Sequence, residues 1–450
     1  MAGAQRTRRG LGVVVLMLLG AGGGVLTEAG AVDVDTAGAL NVDDCVAIAL
    51  ESSDVLSQAR GGVQGAKGNY LASYAQVLPT IGTTASWSRD YQQYQRELAK
   101  LLGLEYSGEY SGSLSFHVTQ SIFSLPGIQS LRATGKGFEA AREDYGAALS
   151  DVELTVRQQF YAYIGARRLA EVEERAVAVT REQLRRSETL FRLGSVARTD
   201  VLQAQVNLAE AEQAAVQRRN DLRLELARLA LVMGLDPRRE LEIDTLLADP
   251  GAPPEGELDA WVAVAIEQRD DLAAARARLR GAEISLSGAR QERLPELGAY
   301  ATWSRYARDP DEILLDGVSA EYNSSWMVSL QLSVNFFSGL MTEGHIEAAK
   351  GERVNRRAAV ERMEKDIALE VREAFLDIFA EFENLESART SVALARENLR
   401  LQQALYESGA GTLLEWDNAR LSLRRAQVAE IQAEISRLLA HARFKRAIGT

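Results

Sequence analysis

Three histidines, His117, His345 and His441, and a single cysteine, Cys45, are the residues of this 450-residue chain best suited to hold a metal or act as a nucleophile. The histidines lie far apart without ligand spacing and have no cysteine partner, so no zinc site is expected. Gly135-Lys136-Gly137 lacks the upstream glycine and the following Ser or Thr of a phosphate loop. Gly409-Ala410-Gly411 has no strand before it and is expected to turn a helix, not to hold a dinucleotide. The sequence therefore offers no catalytic constellation and implies no cofactor. What the sequence offers instead is small hydroxyl side chains alternating with apolar ones. In the stretch from Tyr110 to Phe123, YSGSLSFHVTQSIF, Leu114, Phe116, Val118 and Ile122 alternate with Ser113, Ser115, His117, Thr119 and Ser121.

Such a stretch needs partners, and the chain supplies them by repeating itself. Leu78-Pro79 recurs as Leu294-Pro295, 216 residues on, and Ser86-Trp87-Ser88-Arg89 answers Thr302-Trp303-Ser304-Arg305. Phe123 answers Phe337 at 214; Val152, Val156, Phe160 and Tyr163 answer Ile367, Val371, Phe375 and Ile378 at 215. Each copy carries two runs of period two, which predict two strands with one wet and one apolar face, four strands in all. In the first copy the earlier run places Ile81, Thr83, Ala85 and Trp87 on one side. In the second, Leu297, Ala299, Ala301 and Trp303 share a side, and then Trp326, Val328, Leu330, Leu332, Val334 and Phe336.

The rest reads as helix. No proline falls between Pro126 and Pro237 or after Pro310, and Ala, Leu, Glu, Arg and Gln dominate. Two long helices are expected, from Gly127 to Gly194 and from Gly339 to Gly409, each about 100 Å long at 1.5 Å per residue. Four shorter ones are expected at Asp44 to Leu78, Thr199 to Met233, Asp259 to Leu294 and Leu414 to Ile448, two of them laid end to end matching one long helix. The proline-rich stretch from Leu235 to Leu258 joins the copies and is expected beside the middle of the long helices. The organisation expected is thus a first repeat at 32–234, a linker at 235–258 and a second repeat at 259–450.

Residues 1–31 read as a signal peptide: Arg6, Arg8 and Arg9, then an apolar core from Leu11 to Leu19, then Ala29-Gly30-Ala31, with cleavage expected after Ala31. Removing them takes the formal net charge from -12 to -14, an acidic balance that speaks against nucleic acid as a partner. Cys45 is too far from the apolar core to be a lipid anchor and is read as a small residue on a helix face. Beyond the signal segment no window reaches the roughly 18 apolar residues of a membrane helix. If the chain crosses a membrane it does so as strands, and four strands cannot close a barrel alone. Two chains would give eight strands and three would give twelve. The apolar faces, with Trp87, Leu114, Phe116, Val118, Trp303, Trp326, Leu330 and Leu332, would meet lipid, and the serine and threonine faces would line water. Two soluble hairpins packed as a small sandwich would show the same alternation; the export signal, the duplication and the helix lengths together favour the membrane.

These residues resemble the TolC-like outer membrane efflux protein family over essentially the whole mature chain. The carriers are the duplicated Leu-Pro, Ser121-Ile-Phe-Ser124 and Asn335-Phe-Phe-Ser-Gly339 at the ends of the second strands, and the tips Leu190-Phe-Arg-Leu-Gly194 onward and Leu405-Tyr-Glu-Ser-Gly409 onward. The resemblance implies a homotrimer with a twelve-stranded barrel in the outer membrane of a Gram-negative cell and a helical tunnel in the periplasm. It implies a passive exit duct of a tripartite efflux or type I secretion system, opened when a periplasmic adaptor and an inner membrane transporter of RND or ABC type dock. It is no enzyme. By the same resemblance the periplasmic gate falls at Tyr406, Gly411, Glu415 and Asn418. Glu415 matches an acidic gate position, whereas Asn418 and Gly411 stand where an acidic and a basic residue are common, which implies fewer ionic ties. Adaptor docking falls at the tips, Gly194, Ser195 and Asp200, and Gly409, Ala410 and Thr412. Glycine suits these reversals, and Thr199-Asp200 and Thr412 are candidate caps for the helices that follow. The rival reading is a periplasmic coiled-coil adaptor or scaffold without a pore.

Overall fold

The computed structural model of the protein describes residues 38–89, 93–104, 110–307, 324–408 and 410–450. The expected signal peptide, Gly409, part of the loop between the first two strands and the loop at 308–321 lie outside the described residues.

The first repeat begins with helices α1 (Val42–Ser52) and α2 (Asp54–Ser73), closed by a 3-10 turn at Tyr74–Gln76. Asn41 starts α1 through a capping box with Asp44. Strand β1 (Thr80–Arg89), a short helix α3 (Gln93–Leu101) and strand β2 (Tyr110–Phe123) follow. Helix α4 (Leu125–Arg192) then runs for 68 residues, which is about 100 Å. It opens with Pro126 in its first turn, and Ser124 accepts from the Gly127 amide. Helix α5 (Arg198–Val232) ends the repeat.

The second repeat has the same order: α6 (Leu258–Gln268), α7 (Asp270–Gln291), β3 (Glu296–Ala307), β4 (Ser324–Ser333), α8 (Met341–Glu407) of 67 residues, and α9 (Leu413–Ile448). Long helix α4 packs against α2 and α7 along one half and α5 along the other, while α8 packs against α7 and α9. The core is built at 3.6-residue spacing from the matched positions: Val152, Val156, Phe160 and Tyr163 on α4, and Ile367, Val371 and Ile378 on α8, are all buried. Phe375 packs tilted against Phe444 of α9, which also meets Trp261 of α6 edge-on at 5.4 Å.

Three features depart from the sequence reading. The helices expected at Asp44 to Leu78 and Asp259 to Leu294 each break once, at Ser53 and at Arg269, where ψ swings to 130° and 122°. These breaks lie 216 residues apart and each receives a helix end from its own repeat. Gly234, just past α5, has φ +75°, and a Cβ there would stand 2.3 Å from the Ser52 carbonyl oxygen. The Ser52 hydroxyl donates to the Met233 carbonyl oxygen at 2.6 Å. Gly449, just past α9, has φ +82° and presses in the same way on Gln268 and Arg269. Neither break has a proline or glycine to announce it; the cause is tertiary. The second departure is β4, which ends at Ser333, so Val334 and Phe336 lie beyond it. The third is α3, which is not among the six helices expected and exposes Leu101, Leu102 and Leu104 around its end.

The linker contributes Ile243, whose parallel bridge to Leu40 ties the start of the first repeat down. Its Asp249 and the Gly251 carbonyl accept from Arg437 of α9, both at 2.7 Å, and the Arg437 guanidinium lies over Phe382 of α8. No helix among the described residues is long and apolar enough to cross a membrane.

Candidate functional site

The four strands form one antiparallel sheet in the order β1-β2-β3-β4. Directly opposed residues of an antiparallel ladder project to the same face, so the register decides which side chains share a surface. Ile81 pairs with Val118, Thr83 with Phe116 and Ala85 with Leu114. Val118 pairs in turn with Ala301 and Phe116 with Trp303. Ala301 pairs with Val328, Trp303 with Trp326, Ala299 with Leu330 and Leu297 with Leu332. One face therefore collects Trp87, Leu114, Phe116, Val118, Trp303, Trp326, Leu330 and Leu332. The rings of Phe116, Trp303 and Trp326 form a row across three strands, at 5.5 and 6.4 Å. This face is left bare: Trp326 is 77% exposed, Leu330 71% and Leu332 66%.

The opposite face carries hydroxyls that bond across the ladder, Ser86 with Ser113 at 2.8 Å and Ser115 with Ser304 at 3.1 Å. Tyr300, Tyr306 and Met327 are larger residues on it. Gly82 leaves room for the imidazole of His117 directly opposite. Two residues that break the alternation are accommodated. Gln120 falls on the apolar face, but its amide donates to the carbonyl oxygens of Val77 and Ser121 at 2.7 and 3.0 Å. A bulge between Ser121 and Phe123 then returns Phe123 to the row of Leu297.

At the other end of the molecule the two helix reversals come together. Gly194 turns the first with φ +73°, and the Ser195 amide donates to the Leu190 carbonyl oxygen at 2.9 Å. In the second, the amides of Ala410 and Gly411 both donate to the Leu405 carbonyl oxygen, at 2.9 and 3.0 Å. Gly411 is not left-handed; a Cβ there would lie tight against Leu405, 3.0 Å from its Cβ. Thr412 caps α9: its hydroxyl accepts from the Glu415 amide at 3.2 Å, while the Glu415 carboxylate accepts from the Thr412 amide and hydroxyl, both at 2.9 Å. These bonds hold the exposed Glu415 carboxyl below its usual range, the backbone bond most. The cap expected from Thr199-Asp200 is absent; α5 begins after Ala197, which makes no side-chain cap. Asp200 instead sits in the first turn, where its charge suits the positive end of the helix.

Three of the four candidate gate residues divide between two grooves, and Glu415 lines neither. Tyr406 and Gly411 line one, with Ser195 and Trp416, of about 670 Å³. Asp200 and Asn418 line the other, of similar volume, between α4, α5 and α9. Tyr406 stacks on Trp416 with ring planes 10° apart, and Arg420 lies over the Trp416 ring. Burial raises the Tyr406 phenol, and the charges of Asp200 and Asp417 raise it further.

Between the grooves runs a polar cluster that the sequence reading did not identify. Asp417 accepts from Gln183 of α4 at 3.4 Å and Asn207 of α5 at 3.1 Å, and pairs with Arg420 at 3.2 Å. Arg420 also donates to Gln183, at 3.2 Å. One turn on, Arg424 bonds Glu173, a nearly fully buried carboxylate of α4, at 2.8 Å. Ionic ties at this tip therefore form beside Gly411 and Asn418, at Asp417, Arg420 and Arg424. The spacing of Asp417 and Arg420 was visible in the sequence; which helices they face was not.

A family model described as outer membrane efflux protein matches residues 46–235 and again 261–450. The chain is 25% identical to outer membrane protein OprJ of Pseudomonas aeruginosa, over 90% of this chain and 83% of that one. It is 25% identical to protein CyaE of Bordetella pertussis over 69% of this chain, spanning 66%, just under two thirds, of CyaE. Among solved structures it superposes on the CmeC outer membrane channel of Campylobacter jejuni with a TM-score of 0.78 at 18% identity, covering 91% of this chain and 85% of that one. It also superposes on the open state of the MtrE outer membrane channel of Neisseria gonorrhoeae with a TM-score of 0.74 at 18% identity, covering 91% and 88%.

Proposed function

The chain belongs to the outer membrane efflux protein family, and from that premise we propose that it is the exit duct of a tripartite efflux or type I secretion system. Three copies close a twelve-stranded barrel in the outer membrane, and their helices continue it as a tunnel through the periplasm. The observation that carries this reading is the bare apolar face of a sheet that has only four strands. In water such a face would be covered, and in lipid such a sheet would have to close. The hydroxyl face then lines the pore, which conducts passively.

The paired reversals form the periplasmic end. The Asp417 cluster ties α9 to α4 and α5 there, the Tyr406-Trp416 stack ties α9 to α8, and opening separates them. A periplasmic adaptor engages the tips around Gly194, Ser195, Asp200, Ala410 and Thr412, and an inner membrane transporter of RND or ABC type supplies the substrate. Glu415 contributes three carboxylates around the axis, a ring that binds cations.

Conductance across a planar bilayer tests the proposal. Detergent-extracted protein is expected to give discrete, long-lived steps, and Asp417→Ala, which unties the cluster, is expected to raise the open fraction. Protein that partitions into the bilayer yet never conducts, in either form, would overturn it.

A further inference from the structure

The strands of the two repeats are superimposable position for position, and this fixes something one chain does not contain. Thr80 pairs with Thr119 in the first repeat, and Glu296 with Ser333 in the second. Glu296 is the counterpart of Thr80 at an offset of 216, so the counterpart of Thr119 lies 214 residues on. The sequence gives the same 214 independently, between Phe123 and Phe337. The β1-β2 and β3-β4 ladders are therefore one ladder written twice. The β2-β3 ladder joins the end of one repeat to the start of the next. A junction from β4 to a following β1 would be its repeat, and β4 and β1 are the two ends of the sheet order.

Resting on the oligomeric channel proposed above, we infer that β4 of one copy pairs antiparallel with β1 of the next, with Leu332 opposite Ala85, Gln331 opposite Ser86 and Leu330 opposite Trp87. Each pair translates an observed one: Val118 with Ala301, His117 with Thr302 and Phe116 with Trp303. The translated register keeps both surfaces continuous. Leu332, Ala85, Leu330 and Trp87 extend the apolar face, while Gln331 with Ser86 and Ser333 with Thr84 extend the small polar one. A slip of one residue would set Leu332 against a hydroxyl and turn the whole strand over. A slip of two would keep the faces but break the translation, so it is the alternative that experiment must separate.

The register also sets how the barrel climbs. Thr84 pairs with Ser115, and Ser115 with Ser304, whose counterpart in the first repeat is Ser88. Crossing two strands thus advances the register from Thr84 to the Ser88 position, and the inferred junction continues that stagger evenly around the ring. Even stagger is what a closed sheet of uniform tilt requires.

Disulfide trapping reads the register directly. Ser86→Cys is combined in turn with Ser329→Cys, Gln331→Cys and Ser333→Cys in the full chain. All four positions lie on the polar face, Ser86 and Gln331 are exposed, and the native Cys45 is fully buried. Within one copy the two cysteines sit at opposite edges, three strand spacings or roughly 14 Å apart, so any disulfide between them joins two copies. Directly opposed Cα atoms, about 4.5–5.5 Å apart, suit a disulfide, whereas diagonal ones at about 7–8 Å do not.

The expected result is a covalent three-chain band without reductant for the Gln331→Cys pair, and its loss for the Ser329→Cys and Ser333→Cys pairs. Trapping by either slipped pair overturns the register while leaving the channel standing. Absence of trapping by all three pairs, in protein whose native mass in mild detergent is still three chains, overturns edge pairing itself. A native mass of one chain overturns both the register and the proposed function.

Discussion

Glu415 is bound before it is available. Its carboxylate accepts two bonds from Thr412, and its pKa is lowered from the ordinary 4.5. A carboxyl whose folded pKa is depressed contributes stability that is complete above its unfolded value and is lost as the pH falls through the folded one. The melting temperature of Glu415→Gln is therefore expected below that of the native protein at neutral pH, with the gap closing as the pH falls below 4.5. A gap that persists in acid would show that the carboxylate does not hold the cap. In conductance, the same substitution is expected to weaken block by divalent cations, and Asn418→Asp to strengthen it. The pair a few turns on, a buried Glu173 with an Arg424 that is 36% exposed, behaves differently. Arg424→Ala leaves the carboxylate of Glu173 buried without its partner, at a cost of about 3–5 kcal/mol, and Arg424→Ala with Glu173→Gln is expected to recover much of it in urea unfolding. Equal losses in the single and double variants would contradict that coupling.

Among the elements, the glycines divide by what surrounds them. Gly194 and Gly234 are both left-handed, at φ +73° and +75°, but a Cβ on Gly194 meets open space, whereas one on Gly234 meets the Ser52 carbonyl oxygen at 2.3 Å. Gly194→Ala is expected to cost about 1–2 kcal/mol, the left-handed penalty alone. Gly234→Ala is expected to cost clearly more in the same thermal melt; similar losses would mean that the break at Ser53 gives way freely. Arg269, at the matching break, is nearly fully buried and binds Asp271, Glu370 and the Ala447 carbonyl oxygen. Such a break is held by partners more than a hundred residues away in two cases of three, so nothing local in Gln268-Arg269-Asp270 announces it. The strands were legible for the opposite reason: alternation in YSGSLSFHVTQSIF is a local pattern with a period, and so is the proline-free run of α4. What could not be read was orientation. Asp417 and Arg420 are visible as a charged pair one turn apart, but only packed helices show that they bind Gln183 and Asn207 between them.

For the whole molecule, the duplication supplies symmetry and the sheet supplies the reason to assemble. Two repeats give a pair of long helices, a pair of reversals at one end and one four-stranded sheet with β1 and β4 at its outer edges. The row of Phe116, Trp303 and Trp326, exposed at Phe116 and Trp326, gives the sheet an apolar surface that a water-soluble adaptor or scaffold would have no use for. The number of chains in the native particle, measured as its mass after extraction from membranes in mild detergent, tests this most directly. Three chains per particle, released from membranes only by detergent, is the result the account predicts; a single chain that stays in solution without detergent would contradict it.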